Sequence, residues 1–265
     1  MNPLSPSDAG ALIATLQNAT SPQDNVRKPA TATLKQLESR PGFASLLLLL
    51  TSSSPEINIS INQFAAIQLK NVVSRNWRRG HIQDDERESL KQNLLQRLNE
   101  PNPHVAEQLL VVIAKIARED VPTKWPNLFD SLTQQLTFPH APFAMRTLNK
   151  VFKALSSKRK ASDRRVYSEL AAKMLPFMVD HWMKRQSSLF QMLGQAGYGS
   201  GGSSTVSNEV LIRLQAEATC CMYALKSICR LVVYGRTPLN QGTITHTFLR
   251  ETFDTIGKVL TTVLD

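Results

Sequence analysis

The chain has 265 residues, and its content of 42% apolar and 20% charged residues is typical of a folded globular protein. Its longest apolar run, residues 43–50, is far shorter than the roughly 18 residues that span a bilayer, which argues against membrane insertion. The amino-terminal stretch MNPLSPSDAG lacks the basic and apolar blocks of a signal peptide. We therefore expect the protein in the cytosol or the nucleus.

The net charge of +10 predicts an anionic partner, which could be nucleic acid, a membrane surface or an acidic protein. Part of the excess is concentrated in the segment KRKASDRR, residues 158–165. Such a basic turn is most often a solvated loop, and a binding role is the alternative. Its basic residues are Lys158, Arg159, Lys160, Arg164 and Arg165.

Three cysteines, Cys220, Cys221 and Cys229, lie on one late helical segment. Adjacent side chains on a helix point to different faces, so these thiols are poorly placed for a disulfide or a metal clamp. We expect reduced, packed thiols, as in an intracellular protein, and neither a metal site nor a cofactor.

Apolar residues recur every three to four positions along almost the whole chain, which predicts an all-α protein. The first helix is expected at about residues 7–18. The second is expected at about 22–39, with Ser21 as its N-cap and Pro22 in its first turn, where the missing N–H costs nothing. Further helices are expected at about 43–50, 58–78, 84–98, 103–118, 126–136, 141–156 and 162–192.

The predicted helices form consecutive pairs that begin near residues 7, 42, 85, 126 and 163. A period of about 40 residues with two helices per unit is the signature of HEAT or armadillo repeats. The sequence thus predicts an α-solenoid of about five to six HEAT-type repeats. In such an array the neighbouring repeats stack, and the function lies on a long concave surface.

One segment interrupts the pattern. Residues 194–208, GQAGYGSGGSSTVSN, are rich in Gly and Ser and uncharged, which predicts a flexible loop. It would separate amino-terminal repeats at residues 1–193 from continuing HEAT helices at 209–265. Those helices are expected at about 209–234 and 245–264, and the periodic pattern persists to the end, so we expect an array that is open there.

The second helices of three successive pairs share an amphipathic pattern. Their core arcs are expected to comprise Ile61, Phe64, Ala65, Leu69, Val72 and Val73, then Val105, Leu109, Val112, Ile113 and Ile116, then Ala144, Leu148, Val151, Phe152 and Leu155. Their outward faces carry Gln63, Lys70, Asn71, Ser74, Arg75 and Arg78, then Gln108, Lys115 and Arg118, then Arg146, Lys150 and Lys153. If equivalent helices line one wall, these faces form one basic strip. The alternative is ordinary solvated surface.

Two motifs resemble the importin-β (karyopherin-β) family of nuclear transport receptors. INQFAAIQLKNVVSRNW, residues 61–77, is similar to the family's second-repeat helix. VIAKIAREDVPTKWPNLFDSL, residues 112–132, is similar to its junction between the third and fourth repeats. The stretch LSSKRKASDRRVY, residues 155–167, is similar to the importin-11 branch.

The resemblance implies that the amino-terminal repeats bind the small GTPase Ran in its GTP form, and that this binding releases import cargo in the nucleus. The outward residues of the three second helices would then meet Ran. Protein cargo would bind mostly to later repeats, and nuclear pore proteins are further possible partners. The implied location is the nucleus and cytoplasm, with the nuclear envelope between them.

Trp77 and Trp125, at helix ends, are expected to pack rather than to bind a ligand. Asp120 is expected to be a capping or turn residue. The residues assigned a structural role are Trp77, Asp120, Pro122, Trp125 and Pro126.

Other functions are less well supported by the sequence. The five histidines are scattered, and no Gly-rich phosphate loop joins a strand to a helix, which argues against an enzyme. A basic helical-repeat protein that binds nucleic acid is an alternative, because the net charge is +10. A scaffold without a GTPase partner is another.

Overall fold

The computed structural model describes residues 3–52, 58–137, 139–195 and 207–235, together with residues 250, 252 and 254. These residues form helices and turns and contain no strand, which confirms the all-α prediction. A short 3-10 turn at Pro6–Asp8 precedes the first α-helix. The helices are α1 (Ala9–Ala19), α2 (Asp24–Leu37), α3 (Phe43–Leu50), α4 (Ile59–Asn76), α5 (Asp84–Gln96), α6 (Pro103–Asp120), α7 (Leu128–Gln134), α8 (Ala141–Ser156), α9 (Ala161–Gln195) and α10 (Asn208–Gly235).

The start of α2 differs from the prediction. Ser21 is not the N-cap, because its hydroxyl accepts a hydrogen bond from the Gln23 backbone N–H (3.2 Å) in the turn before the helix. Gln23 occupies the N-cap position, and Pro22 therefore lies outside the helix. The carboxylate of Asp24 in the first turn pairs with Lys28 (3.0 Å) and favours the helix start there.

The predicted loop at 194–208 falls mostly outside the described residues. Its boundaries are wrong by a few residues, because α9 continues through Gly194 and Gln195 and α10 begins at Asn208. The last predicted helix, at 245–264, also lies outside them, apart from residues 250, 252 and 254, which are helical.

The chain divides into two compact units, residues 1–128 and residues 129–265, called unit 1 and unit 2 below. In unit 1, α1 packs on α2, α3 on α4 and α5 on α6. The first helices of neighbouring pairs also pack on each other, as do α4 and α6. Unit 1 therefore has the stacked helix pairs predicted from the repeat.

The core of unit 1 is centred on α3, where only Ser45 and Leu49 of the helix escape full burial. The first N–H groups of α3 are satisfied by α5, because Glu86 accepts from Gly42 (2.9 Å) and Ser45 (3.1 Å). Gly42 has a positive φ of 83°, and a Cβ at this position would collide with the backbone of Leu4. The α3 start is thus fixed by contacts from two other parts of unit 1.

A buried polar cluster joins the end of α4 to α5 and α6. The Asp120 carboxylate accepts a hydrogen bond from Trp77 Nε1 (2.9 Å) and pairs with Lys91 Nζ (2.8 Å). Lys91 Nζ also donates to the Lys124 carbonyl (2.7 Å) and to Glu88 (2.7 Å). The turn after α6 closes on the same residue, since the backbone N–H groups of Lys124 and Trp125 both donate to the Asp120 carbonyl. Asp120 is therefore a turn residue, as expected, and also connects three helices.

In unit 2, α10 packs against both α8 and α9. The Arg185 guanidinium of α9 donates to Glu217 of α10 (2.5 Å) and to the Leu136 carbonyl. The rings of Phe129 and Phe152 stack with their centroids 5.6 Å apart. These contacts hold α7, α8, α9 and α10 together.

Acidification should destabilise unit 2 through His181. Its ring stacks on Phe177 (5.9 Å) and accepts a hydrogen bond from Arg185 (3.4 Å). Burial, followed by the positive charge of Arg185, lowers the pKa of His181 from 6.5 to about 4. The unfolded chain therefore binds an extra proton between these pH values. The stability contributed by neutral His181 is complete above pH 6.5 and declines as pH falls towards 4.

The test compares wild type with His181→Gln, which keeps an acceptor and does not titrate. We expect wild type to lose about 1 to 2 kcal/mol more than the variant between pH 7 and 4.5, less than the full pKa shift implies because the ring is partly exposed. Urea melts across this range, followed by a signal from unit 2, give the difference. Parallel pH profiles would exclude His181 as the source.

Candidate functional site

The polar face of α4 is the centre of the candidate site. The helix starts at Asn58, whose side chain accepts from the Ser60 backbone N–H (2.9 Å). Its predicted core arc is buried except for Phe64, which is partly exposed. Residues 57–83 include Lys70, Arg75 and two further arginines and no acidic residue. This segment therefore presents positive charge beside a packed apolar side.

A polar groove of about 670 Å³ lies between α2 and α4. It is lined by Thr31, Leu34, Lys35, Glu38, Ser39, Phe64, Gln68, Asn71, Arg75, Asn76, Arg79 and His81. Lys35 and Arg79 are exposed. The groove thus combines several cations with one carboxylate and the partly exposed Phe64.

Arg75 spans this groove. Its guanidinium forms two hydrogen bonds with the Glu38 carboxylate of α2, one of them from Nε at 3.2 Å. The Arg75 side chain is 49% exposed and that of Glu38 is 18% exposed, so the pair is accessible from one side. A bidentate pair holds a guanidinium in one orientation. Sequence reasoning missed Glu38, because no local pattern connects it to a residue of a later helix.

The other predicted residues of α4 vary in exposure. Ser74 and Arg78 are exposed, whereas Gln63, Lys70 and Asn71 are partly buried. The Ser74 hydroxyl donates to the Lys70 carbonyl, so it is already engaged within the helix.

The α6 helix packs beside α4 in unit 1, and its predicted core arc is fully buried. Lys115 is exposed on the opposite side, while Gln108 and Arg118 are partly buried. The structure therefore supports neighbouring second helices in unit 1 whose polar residues lie off the core.

The outward face predicted for α8 is partly covered, which corrects the expectation of a free basic strip there. The Arg146 guanidinium lies over the Tyr223 ring of α10, 5.8 Å from its centroid. Asn149 is buried and accepts from Arg230 of α10 (3.4 Å). Lys153 is exposed and Lys150 is partly buried. A helical-wheel projection of the sequence could not show this, because α10, which packs on α8, lies much later in the chain.

The residues assigned a structural role are well packed, apart from the prolines. Trp77 and Trp125 are each 3% exposed, which agrees with packing roles. Pro122 follows Val121 through a cis peptide bond, and both Pro122 and Pro126 are exposed.

The cysteines are free thiols. Burial raises the pKa of Cys220 to about 11 and that of Cys221 to about 12, so neither forms appreciable thiolate at neutral pH. Cys229 is exposed, so the expectation of packing is wrong for this thiol. Within the described part of the chain, no group of three His, Cys, Asp or Glu side chains could hold a metal ion. No helix there is long and apolar enough to cross a bilayer.

Comparisons with known proteins agree with the fold. Residues 30–100 match the importin-beta N-terminal domain. Over 96% of its length the chain is 29% identical to importin-11 of Mus musculus, of which it covers 25%. It is 31% identical over 166 residues to exportin-2 of Pagrus major, which is 58% of this chain and 16% of that protein. The chain thus spans about a quarter of the length of the importin-11 proteins it matches.

Two solved structures share the fold. A bidirectional nuclear transport receptor of S. cerevisiae, Lph2, superposes with a TM-score of 0.70 at 22% identity, covering 94% of this chain and 23% of Lph2. The exportin Cse1 in its cargo-free, cytoplasmic state superposes with a TM-score of 0.68 at 15% identity, covering 84% of this chain and 23% of Cse1. Residues 30–100 are thus similar to the importin-beta N-terminal domain, and the chain shares the helical fold of these nuclear transport receptors.

Proposed function

We propose that this chain is part of a nuclear transport receptor and binds Ran in its GTP form through the α2–α4 groove and the outward faces of α4 and α6. The observation that carries the proposal is the basic face of α4, with Lys70 and Asn71 beside a fixed Arg75, inside the matched importin-beta N-terminal domain. In this role the protein would carry protein cargo between cytoplasm and nucleus through the nuclear envelope. It would also meet nuclear pore proteins on the way.

The charge distribution supports a protein partner with an acidic surface. Segment 57–83 has no carboxylate to oppose its cations, and Glu38 neutralises only Arg75 in the groove. Lys35 and Arg79 are left on the rim without an ion pair among the described residues. Exposed cations of this kind mainly accelerate association and select the partner by charge.

The rigidity of the site supports recognition of nucleotide state. The α4 helix is packed on α3 and α6, and Glu38 restrains Arg75. A GTPase orders its switch loops only when the γ-phosphate is present. A rigid surface that contacts those loops would bind the ordered form and not the GDP form, because it cannot adapt to the released loops.

The test is a calorimetric titration of the protein with Ran loaded with GTP or with GDP. We expect binding to the GTP form only, and about tenfold weaker binding for Lys70→Glu with Arg75→Gln, since both side chains lie at a partly hydrated rim. Lys28→Glu is the matched control, because Lys28 is 75% exposed on α2 and does not line the groove. Equal affinity for both nucleotide forms would contradict the proposal.

A charge swap separates a contact role of Arg75 from a structural one. Arg75→Glu with Glu38→Arg keeps the ion pair between α2 and α4 but moves the cation to α2. If Arg75 contacts Ran, the swapped protein should bind as weakly as Arg75→Glu alone. Restored binding would show that Arg75 acts only by holding α2 against α4. Circular dichroism melts of each variant check the fold.

A further inference from the structure

A second cavity, of about 790 Å³, lies in unit 2 beside the turn between α8 and α9. The proposed Ran surface uses none of its residues. Its walls come from the end of α8, the start of α9 and the end of α10. Its lining includes Leu155, Arg159, Arg164, Tyr167, Val233 and Tyr234.

The basic residues of this turn are unequally engaged. Lys158 pairs with Asp163 (3.4 Å), and Arg165 pairs with Glu169 (3.3 Å). Arg159 and Arg164 are exposed, and their guanidinium groups make no ion pair or hydrogen bond with other described residues. Two free guanidinium groups therefore lie at one cavity, each with a planar donor face that matches phosphate oxygens.

The cavity wall also includes a buried hydroxyl. Tyr167 is 3% exposed, and its hydroxyl oxygen is fully buried. Ser156 is its hydrogen-bonding neighbour, because the Ser156 hydroxyl donates to the Lys153 carbonyl and can still accept from Tyr167. Burial raises the pKa of Tyr167 far above its usual value, so the group stays protonated. The donors that a ligand in the cavity can reach are therefore the two arginines.

The cavity lining also includes accessible apolar residues. Val233 is 66% exposed and Tyr234 is 53% exposed at the end of α10. Leu155, at the end of α8, also lines the cavity and is buried. A cavity lined by both apolar and cationic residues is suited to a peptide, which can present an aliphatic side chain and an anionic group together.

We propose that this cavity binds a phosphorylated peptide segment, with the phosphate held by Arg159 and Arg164, and an apolar side chain of the peptide against Val233 and Tyr234. A cavity of about 790 Å³ is much larger than a phosphate group and leaves room for neighbouring peptide residues. Arginine clusters are the usual protein receptors for phosphorylated motifs.

The local charges favour a peptide over nucleic acid. Asp163 and Glu169 alternate with the basic residues of the turn, so a long polyanion would meet carboxylates as well as guanidinium groups. Binding of a nucleic-acid strand requires an extended basic track and a row of aromatic platforms. Among the lining residues, Tyr234 is the exposed aromatic ring, which is too little for such a track.

The test uses fluorescence anisotropy with a short labelled peptide. The peptide has a phosphoserine flanked by acidic residues, and it also contains one leucine. We expect it to bind at least about tenfold more tightly than the same peptide with serine. Arg159→Ala with Arg164→Ala should abolish this preference.

The matched control is Lys173→Ala with Lys184→Ala, which removes two positive charges from exposed positions of the same helix, away from the cavity. It should bind like wild type, and all variants should keep their affinity for Ran-GTP. Equal binding of both peptides would overturn the proposal. Tighter binding of a single-stranded RNA of equal charge would overturn it in favour of nucleic acid. A phosphopeptide preference kept by Arg159→Ala with Arg164→Ala would place the peptide outside the cavity and overturn it too.

Discussion

Replacing Asp120 with alanine should lower the free energy of unfolding of unit 1 by about 3 to 4 kcal/mol. The change removes the acceptor of Trp77 Nε1 and the closest buried partner of the Lys91 ammonium, which are 2.9 and 2.8 Å from the carboxylate. Burial by itself lowers the pKa of Lys91, but its hydrogen bonds to Asp120 and Glu88 outweigh burial and raise it. The lysine is therefore charged at neutral pH, and without Asp120 it keeps only Glu88 and the Lys124 carbonyl.

A double-variant cycle identifies the cause of this loss. Lys91→Met with Asp120→Ala should recover part of the stability, because no buried charge is then left without its partner. Additive losses would show that the two side chains act independently. Hydrogen exchange of α4 and α6 amides reports on unit 1 separately from unit 2, and urea melts give the free energies.

Replacing Trp125 with alanine should cost about 3 to 5 kcal/mol, the usual range for emptying a buried aromatic site. The Trp125 side chain is 3% exposed, and the Lys91 ammonium lies 5.9 Å from its ring centroid. Trp125→Phe should cost less, because it keeps part of the volume. Pro126→Ala is the control, since Pro126 is exposed and such changes usually stay within about 0.5 kcal/mol.

The measurement for Trp125 is again a denaturant melt with an amide-exchange signal from unit 1. A loss below about 1 kcal/mol would show that the indole contributes little to the core. Trp125 would then have to be considered as a contact residue for a partner.

Helix positions were predictable from the sequence because they depend on local periodicity. The α3 and α8 bounds agree with the predicted ranges, and all five predicted core residues of α6 are buried. The start of α2 was missed, because Ser21 can satisfy a neighbouring backbone N–H in a turn as well as at a helix cap. The same ambiguity applies to any short polar side chain before a proline.

The resemblance to the importin-β family was also readable from the sequence, because the motifs that carry it are contiguous segments of α4 and of the α6–α7 junction. The candidate site was only partly readable. A helical-wheel projection separates Lys70 and Asn71 from the core, but it cannot show that Arg75 is paired with Glu38 of α2. It likewise cannot show that Tyr223 covers Arg146. Both contacts join helices that are distant in the chain.

The sequence by itself determined the helical repeat, the core faces and the family resemblance, because each is encoded in the pattern of residues along one helix or one pair. Only the tertiary structure decided which polar residues are engaged. Lys91 looks like a surface lysine in its helix, yet it is buried against Asp120. Lys158 and Arg165 look like the other basic residues of their turn, yet they are paired with Asp163 and Glu169. Burial and pairing depend on what neighbouring helices bring to a residue, and local sequence does not contain that information.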